Sequence, residues 1–383
     1  MYLAMAKQRG FSWDHLGGTL QNDILKEFHA QNEIVFPPEP SVRLVVDLIE
    51  FCTSKVPLWN TVSISGYHIR EAGSTALQEL AFTLADGRHY VEETLRRGCA
   101  IDRFAPRLSF FFNAHNNLFE EVAKYRAARR LWAGMMRDEF RAENPASWKL
   151  RFHAQTAGCT LQDRQPEVNL IRVAYQALAA VLGGCQSLHT NSMDETLSLP
   201  TEHAVTLALR TQQVLAYETG VPETVDPVGG SYLVESVTSQ MHDQARQYFR
   251  RIDEQGGMLA AIDSGFFRRE IAEAAYADQK VFEWGERTIV GVNRFEEPHE
   301  PPIELHRVDS AMESEQVESL RRIRNDRSRA AVESALAQVR EAARSPRTNV
   351  FPALLEAATA RATLGEIMSA LAEEFSRYTL DRE

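Results

Sequence analysis

His153 sits between Arg151 and Gln155 at alternate positions in Leu150-Arg151-Phe152-His153-Ala154-Gln155. Alternate residues of a strand share a face, so these three polar groups form one hydrogen-bonding row. Four other segments repeat the pattern: Gly18-Thr19-Leu20-Gln21-Asn22-Asp23, Val62-Ser63-Ile64-Ser65-Gly66-Tyr67-His68, Arg107-Leu108-Ser109-Phe110-Phe111 and Gln186-Ser187-Leu188-His189-Thr190-Asn191. One face of each carries polar or small side chains, and the other carries mostly Leu, Ile, Val and Phe. Parallel barrels ordinarily fill their interior with bulky branched residues. A polar, small-residue lining predicts a hollow interior holding a ligand.

Several chemistries find no support in the sequence. The histidines are scattered, so no metal-ligand spacing appears. The paired glycines stand at helix ends rather than in a phosphate-binding or dinucleotide-binding loop. No nucleophile stands with a base, and the polar face carries neither a lysine nor a carboxylate cluster for a conventional barrel lyase or aldolase.

Each strand segment is followed by a helical pattern: Val42 to Lys55 after a Pro-rich start, Ala76 to Arg97, Leu118 to Phe140, Pro166 to Leu182 ending at Gly183-Gly184, and Thr201 to Thr219 ending at Gly220. Strands alternating with helices through short links predict right-handed crossovers and a parallel sheet. The predicted fold class is α/β, a partial (β/α)8 barrel of the TIM type made of its last five strand–helix units, followed by a helical C-terminal region. An open doubly wound sheet is the alternative, but such sheets bury both faces in apolar material. Met1 to Arg9 reads as the tail of an amphipathic helix, so the first three units are expected to be missing. The expected organisation is a partial barrel over 1–225, a barrel-packing helical extension over 226–300 and a helical docking region over 301–383. In these last parts Val234 to Gln255 and Phe267 to Lys280 read as helices, Ile289 to Asn293 as a short strand, Glu296 to Pro302 as an acidic linker, Gln316 to Ala343 as one charged helix and Phe351 to Tyr378 as a helical pair.

The chain has 383 residues with 44% hydrophobic and 25% charged content, as expected of a globular protein. A net charge of -11 argues against nucleic-acid binding. It leaves room for an anionic ligand at a local arginine cluster. No apolar run is long enough to cross a membrane and the N-terminus lacks signal-peptide order, so the expected location is cytoplasmic, with Cys52, Cys99, Cys159 and Cys185 reduced.

Five motifs in order resemble the methylmalonyl-CoA mutase family over about residues 3 to 375: Ser65-Gly66-Tyr67-His68, Ala105-Pro106-Arg107-Leu108-Ser109-Phe110-Phe111, Leu150 to Thr156, Gln186 to Asn191, and Asp226-Pro227-Val228-Gly229-Gly230-Ser231-Tyr232. The resemblance implies an adenosylcobalamin-dependent acyl-CoA mutase whose barrel encloses the acyl-CoA along its axis. It implies catalytic roles for Tyr67, which would displace the adenosyl group, and for His68 and His153, which would hydrogen-bond the thioester carbonyl. Gln155, Asn191 and Glu195 would face the corrin or adenosyl group. Arg107, Ser109 and Arg151 would hold coenzyme A, with Phe111 a wall of the substrate tunnel. Gln31 stands where methylmalonyl-CoA mutases carry an arginine for the substrate carboxylate. A neutral amide there resembles the isobutyryl-CoA and 2-hydroxyisobutyryl-CoA mutases and implies a substrate without that carboxylate. Methylmalonyl-CoA mutase proper is the alternative. The family's cobalt-ligating D-x-H-x-x-G signature is missing, since Asp14-His15-Leu16-Gly17-Gly18 has a different spacing. The expected partners are therefore a separate cobalamin-binding small subunit, docked on the helical arm from about Gln316, and a chain supplying the missing barrel units. On a second reading the chain is a non-catalytic barrel fragment that needs such a chain.

Overall fold

A computed structural model describes residues 1–298 and 303–379. Six short strands are present: β1 (Gly18–Thr19), β2 (Trp59–Asn60), β3 (Val62–Ser65), β4 (Leu108–Ala114), β5 (Phe152–Thr156) and β6 (Ser187–His189). All pairings are parallel, β1 with β2 and then β3–β4–β5–β6 in sequence order. The two ladders join where Leu20 N–H donates to the Asn60 carbonyl (3.4 Å) and Ser63 N–H donates to the Leu20 carbonyl (2.9 Å). β2 and β3 therefore act as one strand interrupted at Thr61. A doubly wound sheet reverses its strand order at a switch point. Here every neighbour is the next strand in the chain, an order compatible with an arc of a barrel.

The alternation seen in the sequence decides which face the helices cover. Phe110 and Phe112 point into the core, where Phe110 meets Trp132 edge-on at 4.8 Å. Tyr125 stacks on Phe152 at 4.9 Å. These partners belong to helix Leu118–Gly134, whose neighbour Ala76–Arg96 begins with a capping box between Thr75 and Gln78. Helix Tyr232–Glu254 contributes Met241, Ala245 and Ile252 to the same apolar cluster. At the far edge β6 exposes Ser187 and His189. On the flanking helices Val168–Leu182 and Glu202–Glu218, Ile171, Tyr175, Leu209 and Tyr217 are also exposed.

Charges sealed inside this core are paired. Lys124 Nζ donates to Glu79 (2.6 Å) and to the Asn113 carbonyl (2.8 Å), and also pairs with Glu121, all three side chains being fully buried. Glu79 Oε1 in turn accepts the Asn113 backbone N–H at 2.7 Å. Burial raises the Glu79 carboxyl above its ordinary range against the pull of Lys124.

The C-terminal helices build a second apolar cluster, in which Phe36 packs with Val332, Val339, Val350 and Leu371. Arg43 closes the end of helix Arg329–Arg344 by donating to the carbonyls of Ala342 (2.9 Å), Ala343 (2.6 Å) and Ser345 (2.6 Å). These carbonyls have no helical partner, and a cation suits the negative end of the helix dipole.

Several elements differ from the sequence expectation. Tyr67 does not end a strand: β3 stops at Ser65, and Tyr67 opens the short helix Tyr67–Glu71. The first strand is only Gly18–Thr19, because Asp23 turns inward to accept the Leu25 N–H (3.1 Å) and Ser65 N–H (2.8 Å). The helix after β4 ends at Gly134 and gives way to a π-turn, Met135–Glu139. The charged arm is two helices, Ala311–Asp326 and Arg329–Arg344. They break at Arg327, whose guanidinium is held by Glu366 (2.6 Å), with Ser328 capping the second helix. Ile289 to Asn293 is a turn with one isolated bridge, Val290 to Arg294. The expected linker lies partly outside the described residues, which omit 299–302.

Replacing Lys124 with Met leaves Glu79 and Glu121 buried without a counter-charge. The expected loss is about 3–5 kcal/mol. It is measured as a fall in the urea-unfolding midpoint, and an unchanged midpoint would contradict the buried triad.

Candidate functional site

The pairing register places the polar side chains in rows across the open face. Ser65, Phe111, His153 and Ser187 are successive partners, and Asn113, Gln155 and His189 form the next row. His153 Nδ1 is 2.7 Å from the Ser187 hydroxyl. Burial, with His189 close by, lowers the His153 pKa.

Beyond the C-terminal ends of these strands lies an aromatic and amide cluster. Gly66 makes the turn into helix Tyr67–Glu71, because a Cβ there would stand 2.2 Å from Thr83 Oγ1 and 2.9 Å from Glu79 Cγ. The Tyr67 ring stacks on Phe111 at 4.9 Å, within 9° of parallel. Its hydroxyl accepts from Gln155 Nε2 at 3.0 Å, and the same amide donates to Asn191 Oδ1 at 3.0 Å. Burial, reinforced by Glu71, pushes the Tyr67 hydroxyl up, so the phenol stays protonated. His68 meets the edge of Phe111 at 5.7 Å. Burial lowers its pKa to about 4, with the Lys26 charge adding to the effect. The imidazole is therefore neutral at physiological pH and can donate one hydrogen bond while accepting another. Two buried atoms in this cluster, His68 Nδ1 and Asn191 Nδ2, have no hydrogen-bond partner.

The arginines lie elsewhere. Arg107 precedes β4 and lines a cavity of about 100 Å³ with Trp59, Thr61 and Arg103. Arg151 donates to the carbonyls of Pro106 and Leu108 at the same, N-terminal end of the sheet. Its pKa is lowered by burial and then by Arg107 nearby. The Ser109 hydroxyl is occupied by the Val62 carbonyl at 2.9 Å. Tyr67, His68, Phe111, His153, Gln155 and Asn191 thus gather at one end, while Arg107, Ser109 and Arg151 stand at the other. Along the strands Arg107 lies four residues before Phe111 and Arg151 two before His153, about 13 and about 7 Å at roughly 3.3 Å per residue. Arg107 stands in the small N-terminal cavity, on the same face of the sheet as Phe111, His153 and Gln155. The face is polar, with arginines at its N-terminal end and an aromatic, amide-rich cluster at its C-terminal end.

Glu195 is exposed on the loop after β6, its carboxyl raised by burial of its inner part and by Asp194. Gln31 ends the π-turn Glu27–Gln31, and its Oε1 accepts from Lys26 Nζ at 2.7 Å. Sequence reasoning missed Glu71, which accepts from Asn113 Nδ2 (2.7 Å) and the Cys159 N–H (2.8 Å) beside Tyr67. Its spacing of four from Tyr67 on one helix was the available signal. Lys26 was missed as well, because the α-helical pattern gives no reason to pair residues five apart. Among the described residues no group of three or more His, Cys, Asp or Glu side chains could hold a metal ion. No helix among them is long and apolar enough to cross a membrane.

The chain forms a parallel α/β sheet with one apolar, helix-covered face and one polar face. The family model for methylmalonyl-CoA mutase matches residues 1–377, and the chain belongs to that family. It is 46% identical over 379 residues to a methylmalonyl-CoA mutase of Rhizobium meliloti (strain 1021), covering 99% of this chain and 53% of the relative. It is 45% identical over 372 residues to the 2-hydroxyisobutanoyl-CoA mutase large subunit of Aquincola tertiaricarbonis, covering 97% and 66% respectively. The human mitochondrial methylmalonyl-CoA mutase is 42% identical over 378 residues, with 98% of this chain and 50% of that protein covered. The chain therefore spans between half and two thirds of the length of these relatives.

The His68 value gives a titration test. A pKa of about 4 against the ordinary 6.5 means the folded state favours the neutral ring. The associated stability is complete above 6.5 and is lost as pH falls toward about 4. Ring-labelled histidine NMR, assigned with His68→Gln, should show this residue still neutral at pH 6. A midpoint near 6.5 would overturn the burial argument.

Proposed function

We propose that this chain is the substrate-binding large subunit, or part of it, of an adenosylcobalamin-dependent acyl-CoA mutase that rearranges the carbon skeleton of isobutyryl-CoA or 2-hydroxyisobutyryl-CoA by a radical 1,2-shift. The observation that carries this is the polar face itself, with Arg107 and Arg151 at the N-terminal end of the strands and a neutral aromatic–amide cluster beginning about 7–13 Å further along them. A coenzyme A thioester is a long ligand with phosphates at one end and the reacting group at the other. Arg107 and Arg151 would hold the phosphates, since guanidinium forks match phosphate geometry. Ser109 would lie beside the pantetheine arm. His68 and His153, both held neutral by burial, would donate to the thioester carbonyl without adding a charge. Tyr67 and Phe111, stacked, would wall the reacting carbons from water.

The residues at this end also fit the cofactor. Asn191 Nδ2 is buried, is without a partner and lies 3.2 Å from where a Cβ on Gly158 would stand. An unpaired donor beside a residue with no side chain suits an incoming ribose or corrin amide oxygen. Gln155, Asn191 and Glu195 would therefore face the group. When bound, adenosylcobalamin supplies the carbon radical that starts the rearrangement. The cobalt ligand would come from a cobalamin-binding small subunit, for which helix Ala311–Asp326 offers a face with no buried residue. The relative named as a large subunit supports such a division.

Closure over the polar face would come from further parallel strand–helix units pairing with the exposed edge of β6. The exposed Ile171, Tyr175, Leu209 and Tyr217 on the flanking helices fit that contact, because an unpaired edge beside apolar surface is a docking surface. These units would lie elsewhere in the same polypeptide or on a second chain, and the chain without them would be a non-catalytic fragment. Methylmalonyl-CoA mutase proper is the second reading, favoured by the names of several relatives.

The test is turnover by the complete enzyme, with adenosylcobalamin and the cobalamin-binding subunit, of a panel of acyl-CoA esters. Isobutyryl or 2-hydroxyisobutyryl esters should turn over best. Gln31→Arg should shift preference at least about tenfold toward a dicarboxylic ester, because a charge-assisted pair is roughly twice as strong as a neutral bond. Best turnover of methylmalonyl-CoA with Gln31 in place would sink the assignment.

A further inference from the structure

Two helices that cover the apolar face of the sheet leave a groove between their outer sides. Helix Leu118–Gly134 sends Tyr125 and Trp132 into the core. Its Arg130 and Gly134, four residues apart, share a stripe on the opposite side. On helix Tyr232–Glu254, His242, Arg246 and Phe249 recur at helical spacing and line the same groove. The groove has a volume of about 580 Å³. The buried Leu131 and Met135 and the half-buried Phe249 form its floor, and Arg130, His242 and Arg246 form its rim. Small-molecule sites typically span roughly 300–1,000 Å³.

The acidic groups along this rim are already matched. Asp138 pairs with Arg137 at 2.7 Å, Glu139 with Arg88 at 2.7 Å and Asp243 with His242 at 2.9 Å. The His242 bond, with Arg130 and Arg246 nearby, holds the Asp243 carboxyl below its ordinary range. Both arginines therefore reach the same neighbourhood. Neither makes an ion pair or hydrogen bond of its own among the described residues. Two unmatched guanidinium groups over one apolar floor make a local cationic site on a chain of net charge -11.

Gly134 keeps the groove open. A Cβ there would meet nothing within 4 Å, so no packing partner demands a glycine. Glycine inside a helix costs stability relative to other residues. What its missing side chain leaves is space beside Leu131 and Met135.

We propose that this groove binds a small organic phosphate, a monoester carrying an apolar or aromatic body. Such an ester carries about 1.5 to 2 negative charges at neutral pH. That matches two unmatched arginines, whereas a carboxylate supplies one charge. Guanidinium forks fit phosphate oxygens. Phe249, Leu131 and Met135 would cover the body, methionine being well suited to an aromatic ring. The groove lies on the outer side of the helices and not on the polar face of the sheet, so the proposal stands apart from the acyl-CoA reading.

The experiment is a fluorescence titration of the full chain with 1-naphthyl phosphate at low salt. One saturable site is expected. Inorganic phosphate lacks the body and 1-naphthoate lacks the second charge, so each should bind at least about tenfold more weakly. Arg130→Ala and Arg246→Ala should each weaken the naphthyl ester about tenfold, as expected when one charge-assisted hydrogen bond is lost. Both side chains are exposed, so these variants leave the core intact. Gly134→Leu should fill the groove and abolish binding. Its urea-unfolding midpoint should be unchanged or higher, because leucine favours the helix and meets no atom there. Absence of saturable binding by the wild type would overturn the proposal. So would equal binding of the three probes, undiminished binding by the arginine variants, or undiminished binding by a folded Gly134→Leu.

Discussion

The Lys124 ammonium, sealed from water with Glu79 and Glu121, is the constraint on which the site depends. Three charges in a dry core are costly unless every one is met. Here Lys124 also takes the Asn113 carbonyl, and Glu79 takes the Asn113 N–H. One residue at the C-terminal end of β4 is thus gripped on both sides of its backbone. The Asn113 side chain reaches Glu71, on the helix that begins with Tyr67. The same Glu79 packs under Gly66, where no Cβ would fit. A buried electrostatic knot is thereby tied directly to the turn that aims Tyr67 and His68.

At the aromatic end the Glu71 carboxylate is held by Asn113 Nδ2 and the Cys159 N–H. Burial lowers the His68 and His153 pKa values and raises that of the Tyr67 hydroxyl. Lys26 is matched by Glu27. The proposed radical rearrangement would gain from a surface that offers hydrogen bonds and shape while excluding water. The cations sit at the N-terminal end, where burial and then the Arg107 charge lower the Arg151 pKa. Two unlike ends on one face follow from a single physical fact: parallel strands carry side chains in register from end to end.

Much of this arrangement was legible in the sequence. The alternation in β4 put Phe111 on the polar face and Phe110 on the apolar one, and Phe111 stacks on Tyr67 while Phe110 packs on Trp132. The alternation in β5 put His153 and Gln155 on one face, as observed. Helix ends at Gly183-Gly184 and Gly220 were readable because glycine there adopts the left-handed backbone, at φ 81° for Gly184 and 68° for Gly220. Other features resisted. Tyr67 looked like the last residue of a strand because its type fits either structure, and only the grip on Gly66 turns the chain into a helix. The break at Arg327 is enforced by Glu366, a residue on another helix, and leaves no local mark.

The amino-acid pattern by itself determined the strand–helix alternation, the division of each strand into apolar and polar faces, and the motifs that carry the family. Those are local properties, set by a period of two or 3.6 residues. The tertiary structure alone decided how far along the sheet each polar residue lies, because position across strands depends on interstrand register. It therefore separated Arg107 from Tyr67, which share a face but not an end. It also wound the π-turn Glu27–Gln31, which buries Phe28 beside Leu25 in the core and brings Lys26 to Gln31.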